Sequence, residues 1–231
     1  ARAARRVQAE GFFGVDINFG CSNGSICRQN CGAALLKDPA LAVSIVSEVR
    51  QAVSIPLSVK FRTGWKDDPQ YAVDLACKFE AVGADALIFH PRVAPDRRTR
   101  PPRWDYIAMV KAAVGIPVFG NGNVFDKNDC RRIIEETGCD GVAVGRMAIA
   151  KPWIFAEWSH NLQTSPDIYL ESALQLIGLL EKHYDSVRAL RRFKRFAYYY
   201  AANFKFGHTF YSRLKNAADM SQIEKILHHF F

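Results

Sequence analysis

An alternation running through its first two thirds constrains this chain most. Short apolar runs at 14–18, 55–61, 85–90, 116–119 and 140–145 each have the length and bounding turn residues of a buried strand. Segments of helical periodicity lie between them. Leu41, Ile45, Val46, Val49 and Val53 mark one face of a helix over 39–53, and Leu75 and Phe79 do so over 70–82. Ile107, Val110 and Val114 serve a helix over 104–114, and Cys130, Ile133 and Ile134 one over 126–137. The punctuation repeats as well. Gly83-Ala84-Asp85 and Gly138-Cys139-Asp140 end a helix and start a strand, as do Ser54-Ile55-Pro56 and Gly115-Ile116-Pro117. Apolar strands alternating with helices demand a parallel sheet covered by helices.

Two α/β architectures satisfy that demand, an open doubly wound sheet and a (β/α)8 TIM barrel. No GxGxxG follows the first strand, which counts against a dinucleotide-binding sheet. Polar residues closing the strands (Asn18, Lys60, His90, Asn121, Arg146) favour the barrel, whose C-terminal rim collects side chains from many strands. About five strand units are visible, so three more are expected upstream of Ala1. The opening Ala1-Arg2-Ala3-Ala4-Arg5-Arg6 lacks an initiator Met and enters like the interior of a helix. From about 160 strands cease. Segments 168–184, 186–206 and 219–231 predict helices, giving a barrel portion over 1–160 and an all-α domain over 165–231, linked near Thr164-Ser165-Pro166.

Composition narrows the function. No apolar run is long enough for a membrane span, and the opening residues, with no apolar h-region after them, are not expected to act as a secretory signal. The six cysteines (21, 27, 31, 77, 130, 139) form no CxxC pair and match no metal-ligand spacing, so a reducing, cytoplasmic setting without a metal centre is expected. The formal charge of +8 is unevenly placed. Residues 186–218 hold Arg188, Arg191, Arg192, Lys194, Arg195, Lys205, Arg213 and Lys215 and no acid, interleaved with aromatics from Phe193 to Tyr211. Cations that neutralise phosphates beside rings that stack on bases predict RNA contact. A second cluster, Arg92, Arg97, Arg98, Arg100 and Arg103, falls in a Pro-rich loop after the third strand, placed to grip a nucleic-acid backbone near the rim.

The strand ends carry the chemistry. Val15-Asp16-Ile17-Asn18-Phe19-Gly20-Cys21 brings an amide and a thiol to the rim. Lys60 within Val59-Lys60-Phe61 is a costly place for an unpaired ammonium and suits an electron-rich ligand, which His90 on the next strand would share. Gly120-Asn121-Gly122-Asn123 and Gly145-Arg146 offer glycine-freed backbone N–H groups and a guanidinium for a phosphate.

Asp16-Ile17-Asn18-Phe19-Gly20-Cys21, Gly32-Ala33-Ala34-Leu35-Leu36, Val59-Lys60-Phe61-Arg62, His90-Pro91-Arg92, Gly120-Asn121-Gly122 and Gly141-Val142-Ala143-Val144-Gly145-Arg146 together resemble the tRNA-dihydrouridine synthase family, in order and spacing over residues 10–155. The helical tail is similar to that family's RNA-binding domain. The resemblance implies FMN-dependent reduction of uridine in tRNA to 5,6-dihydrouridine, with NADPH as reductant. It makes Cys21 the general acid that protonates C5 after hydride reaches C6. Lys60 and His90 would face the flavin ring and ribityl chain. Asn121, Gly122, Asn123, Gly145 and Arg146 would hold its phosphate, and Asn18 would position a ring. Arg92, Arg191, Arg192, Lys194 and Arg195 would contact tRNA. Ser22 stands where the family usually has Pro, and Asn123 where it usually has Asp. Without the first three units the chain alone is expected to bind FMN weakly. Two alternatives remain: an FMN barrel acting on a small molecule such as dihydroorotate, and a non-catalytic RNA-binding fragment.

Overall fold

The computed structural model describes residues 1–94, 96, 100–160 and 163–231, in two compact units, Ala1–Ala143 and Val144–Phe231. The first unit runs α1 (Arg2–Ala9), β1 (Val15–Asn18), α2 (Gly24–Cys27), a 3-10 turn (Gly32–Lys37), α3 (Pro39–Ala52), β2 (Leu57–Gly64), α4 (Pro69–Ala81), β3 (Ala86–Val93), α5 (Asp105–Ala113), β4 (Val118–Asn121), α6 (Lys127–Thr137) and β5 (Gly141–Ala143).

All four strand pairings are parallel, and the sheet order is β1-β2-β3-β4-β5. Each crossover therefore steps in one direction, and right-handed crossovers place every helix on the same face. Successive helices α3, α4, α5 and α6 accordingly pack on one another. A doubly wound sheet reverses direction partway, and this one does not. Sequential order is the arrangement of a (β/α) barrel wall.

The strands have two unlike faces. Leu57, Val59 and Phe61 of β2 and Leu87 and Phe89 of β3 are fully buried toward the helices. Phe79 of α4 lies 5.6 Å from both Phe19 and Phe61, and Phe61 meets Phe89 at 4.8 Å. Burying rings of this size contributes about 2–3 kcal/mol each. Asp16, Asn18, Ser58, Lys60, Arg62, Ile88, His90, Phe119 and Asn121 occupy the opposite, inner face, aligned by register: Asn18 with Lys60, Lys60 with Ile88, Arg62 with His90.

Local chemistry explains the element ends. Asp38 and Asp68 cap α3 and α4, each followed by a proline in the first helical turn. Asp126 caps α6, and Gly138 ends it at φ +66°. The repeated Gly-x-Asp has a specific task. The backbone N–H of Asp85 donates to Leu57 O (2.8 Å) while its carboxylate accepts from Leu57 N (2.7 Å). Asp140 does the same with Val118, at 2.9 and 2.8 Å. Each aspartate thereby fastens the first residue of the preceding strand. Arg50 and Lys111 supply the counter-charges, each at 2.8 Å.

The structure corrects several boundaries. β2 continues to Gly64 and β3 to Val93, so Lys60 and His90 sit within their strands, on the inner face, rather than at the ends. Arg92 belongs to β3 and not to the loop beyond it. Arg97 and Arg98 lie outside the described residues. Arg146 opens a helix instead of closing a strand.

The second unit comprises α7 (Arg146–Ala150), α8 (Ile154–His160), α9 (Ile168–His183), α10 (Ser186–Tyr200), a 3-10 turn (Ala201–Asn203), α11 (Gly207–Asn216) and α12 (Met220–Phe230). The helix expected over 186–206 stops at Tyr200. Gly207 then packs so closely on Ala201 O that no side chain fits there, and the chain starts afresh as α11. Phe193, Phe196, Tyr200 and Phe210 build the core with Ile177, Leu214, Ile223 and Leu227. Tyr200 Oη donates to Tyr169 O at 2.7 Å, and burial raises its phenol above the usual tyrosine range. Among the described residues no helix is long and apolar enough to cross a membrane.

Candidate active site

The loop after β1 folds around Cys21. Asn18 Oδ1 accepts from Gly20 N at 2.8 Å, turning the chain off the strand, and Phe19 N donates to Lys60 O at 2.7 Å. The Cys21 carbonyl then accepts from Ala33 N (2.8 Å) and from Cys27 Sγ (3.6 Å). Gly32 makes this closure possible. Its φ of +59° is left-handed, and a Cβ there would stand 2.6 Å from Cys21 O and 3.0 Å from Cys21 Cβ. Cys21 itself is half-buried. Cys27 and Cys31 spend their thiols on backbone carbonyls, of Cys21 and Gln29.

Lys60 and Arg62 stand beside this loop on β2. The Lys60 ammonium reaches Gly20 so closely that a Cβ on that glycine would lie 3.3 Å from Nζ. Burial pushes the Lys60 ammonium below the usual lysine range, and the Arg62 guanidinium adds to the effect, while Asp16 and Cys21 oppose it. Asp16 accepts from Ser58 Oγ at 2.7 Å. Arg62 Nε donates to Gly20 O at 2.7 Å, and its Nη1 is buried with no hydrogen-bond partner among the described residues. Cys21 interacts electrostatically with both Lys60 and Arg62, so the thiol and the two cations form one cluster. Sequence reasoning missed Arg62. The signal was the period of two in Ser58-Val59-Lys60-Phe61-Arg62, which places it on the face of Lys60.

His90 is the next strand's contribution, in register with Arg62. Arg92, only 4% exposed, bonds through Nε to Arg100 O (2.8 Å), through Nη2 to Asn123 Oδ1 (3.0 Å), and through Nη1 contacts His90 Nε2 at 3.2 Å. Arg92 is thus turned into the protein rather than toward a solvent-borne backbone. Gly122, at φ +124°, passes directly against the imidazole. A Cβ would lie 3.0 Å from His90 Cδ2. Trp104 Nε1 holds the Gly122 carbonyl at 3.0 Å, and Asn121 Nδ2 donates to Ala143 O at 2.6 Å. Of the expected residues, Asn18, Cys21, Lys60, His90, Asn121, Gly122 and Asn123 all belong to the first unit, on β1, β2, β3, β4 or the loops that follow β1 and β4.

Gly145 and Arg146 lie in the second unit at the start of α7. On α10, Arg191, Arg192 and Arg195 are exposed, and Arg192 covers the Tyr184 ring at 4.3 Å. Lys194 Nζ donates to Ala217 O at 2.7 Å, capping the end of α11. A groove of about 800 Å³ is lined by Arg191, Lys194, Arg195, Tyr198, Tyr211 and Lys215. Four of the nine aromatics from Phe193 to Tyr211 are core instead. Phe193, Phe196 and Tyr200 share one stripe of α10 and Phe210 faces inward from α11, whereas Tyr198 is 55% exposed.

A barrel-type parallel sheet with a lysine, an arginine and a histidine on its inner face and a thiol in the loop after its first strand, followed by a basic helical unit, defines a class of α/β scaffold. The comparisons specify it further. The family model described as dihydrouridine synthase matches residues 1–229, and the chain belongs to that family. Among curated relatives, tRNA-dihydrouridine synthase B of Pseudomonas aeruginosa is 38% identical over 183 residues, covering 79% of this chain and 55% of that protein. The tRNA-dihydrouridine synthase B of Pseudomonas putida is 34% identical over 231 residues, covering 97% and 68%. A probable tRNA-dihydrouridine synthase 1 of Synechocystis sp. is 34% identical over 183 residues, covering 79% and 52%. The chain spans about half the length of the first of these relatives.

Proposed function

We propose that this chain carries the thiol and flavin-facing wall of an enzyme that reduces uridine in tRNA to 5,6-dihydrouridine. The observation that supports it most is the packing of the Cys21 loop on two cations of β2: Gly20 lies against Lys60 Nζ, and its carbonyl accepts from Arg62 Nε. The donor set fits FMN: Lys60, Arg62 and His90 offer N–H groups to an electron-rich ring system, and the buried Arg62 Nη1 is still to be satisfied. Lys60 and His90 would face the ring and ribityl chain. Asn121, Gly122 and Asn123 would hold the phosphate end. When bound, reduced FMN supplies hydride to uracil C6, and NADPH restores it.

The chain's own residues do the rest. Hydride at C6 leaves enolate-like charge toward C5 and C4, so C5 needs a proton. An ordinary thiol is mostly protonated at neutral pH, and Cys21 Sγ–H donates that proton. The cysteine is left as thiolate beside Lys60 and Arg62, whose charges stabilise it until solvent reprotonates it. Asn18, its side-chain oxygen bonded to Gly20, keeps the loop in place for this transfer. The exposed guanidiniums of Arg191, Arg192 and Arg195, with Lys194, would neutralise tRNA phosphates.

Cys21→Ala is the test. Dihydrouridine formation should fall by orders of magnitude while visible flavin absorbance and tRNA binding persist. Turnover at the normal rate would refute the role given to Cys21, and a full-length protein, with the upstream strand units present, that is colourless would refute the flavin reading.

A further inference from the structure

We propose that Arg92 is a positioning residue that fixes His90 as the neutral tautomer carrying its proton on Nδ1. A guanidinium has five N–H donors and no acceptor, and it stays protonated. Its Nη1 lies 3.2 Å from His90 Nε2, so that contact is a hydrogen bond only when Nε2 presents a lone pair. An imidazolium would oppose N–H to N–H. A neutral ring protonated on Nε2 would do the same. The tautomer that remains has its one donor at Nδ1.

Arg92 is held so that it cannot turn aside. It is 4% exposed, its Nε bonds Arg100 O and its Nη2 bonds Asn123 Oδ1, so the fork is fixed at two points besides the one that meets His90. The imidazole is confined as well. Gly122 backs directly onto Cδ2 and Nε2, an approach open to glycine alone at its φ of +124°. Asn123 takes φ +53°, which places its side-chain oxygen under the guanidinium. The local field acts in the same direction, because Arg62 pairs with His90 in register and interacts electrostatically with Arg92. A third positive charge on His90 would be repelled by both.

The consequence for chemistry rests on the flavin reading above. A histidine held this way is a permanent one-proton donor and not an acid, so it hydrogen-bonds a carbonyl or hydroxyl of the bound group without competing with Cys21 for the proton-transfer step. The tautomer itself is independent of that reading.

The test is a nitrogen-15 NMR spectrum of the histidine side chains in the protein without flavin, with His90 assigned by its loss in His90→Gln. The expected pattern is a pyridine-type Nε2 and a pyrrole-type Nδ1 at neutral pH. A protonated Nε2, as neutral tautomer or as imidazolium, overturns the proposal without touching the flavin reading. Arg92→Lys keeps the charge but loses the fork. It should yield a mixture of tautomers and weaken flavin binding about tenfold, at an unchanged circular dichroism spectrum. Retention of the pure Nδ1–H tautomer in a folded Arg92→Lys protein also overturns it.

Discussion

Replacing Gly32 by alanine probes the Cys21 loop without touching the thiol. Two costs follow from the structure. At φ +59° an alanine pays the left-handed penalty of about 1–2 kcal/mol. Its Cβ would also stand 2.6 Å from Cys21 O, so the two segments must separate, and the 2.8 Å bond from Ala33 N to Cys21 O goes with them, at about 1 kcal/mol. The sum is about 2–3 kcal/mol, which lowers the first unit's thermal transition by roughly 4–12 °C. The displacement falls on Cys21, so its alkylation rate by iodoacetamide should change several-fold as well. Gly32→Asn separates the two causes. Asparagine tolerates the left-handed region but still brings a Cβ, so it should recover part of the stability and none of the normal alkylation rate. If Gly32→Ala melts within a degree of the parent and alkylates at the same rate, the packing of Gly32 on Cys21 does not organise the loop.

Arg191→Glu with Arg195→Glu on the exposed face of α10 should weaken tRNA binding and reduce the slope of log affinity against log salt by about 2, with helicity unchanged; an unaltered slope would remove α10 from the RNA interface. The hydrogen bond from Lys111, with that from Val118 N, holds the Asp140 carboxyl below the usual carboxylate range. A folded-state value below the unfolded one adds stability above the unfolded value and loses it as pH falls through the folded one. Asp140→Asn should therefore be less stable than the parent at neutral pH and converge with it as pH falls through and below the ordinary carboxylate range, as followed by urea unfolding. A gap that persists at the acid end would mean the carboxylate's charge is not what stabilises the strand start.

The parallel sheet and the helices over 39–53 and 70–82 were legible because apolar spacing and the repeated Gly and Pro punctuation decide them. The ends of β2 and β3 were not. Lys60, Arg62, His90 and Arg92 look like charges that terminate an apolar run, yet they continue the strand on its inner face or, for Arg92, turn inward to His90, Arg100 and Asn123. That distinction depends on contacts from Gly20, Arg100, Asn123 and other distant positions, which no local pattern encodes. The break between α10 and α11 was hidden for a related reason, since the close approach of Gly207 to Ala201 is visible only in three dimensions. Tyr200 and Phe210 were ambiguous in a basic segment, where core rings and stacking rings look alike until the helical stripe is known.

Within β2, residues that hold the protein together alternate with inward-facing polar residues, two of which, Lys60 and Arg62, are proposed to act on its ligand: Leu57, Val59 and Phe61 face the helices, and Ser58, Lys60 and Arg62 face inward. Inheritance acts unequally on such a strand. Point changes at the inward positions can retune chemistry over generations while the aromatic packing beneath stays intact. The loss or gain of one codon in the middle would exchange the two faces beyond it, burying charges among Phe79 and Phe89 and exposing the rings. Divergence along this strand is therefore open to substitution and closed to frame-preserving insertions and deletions of odd length.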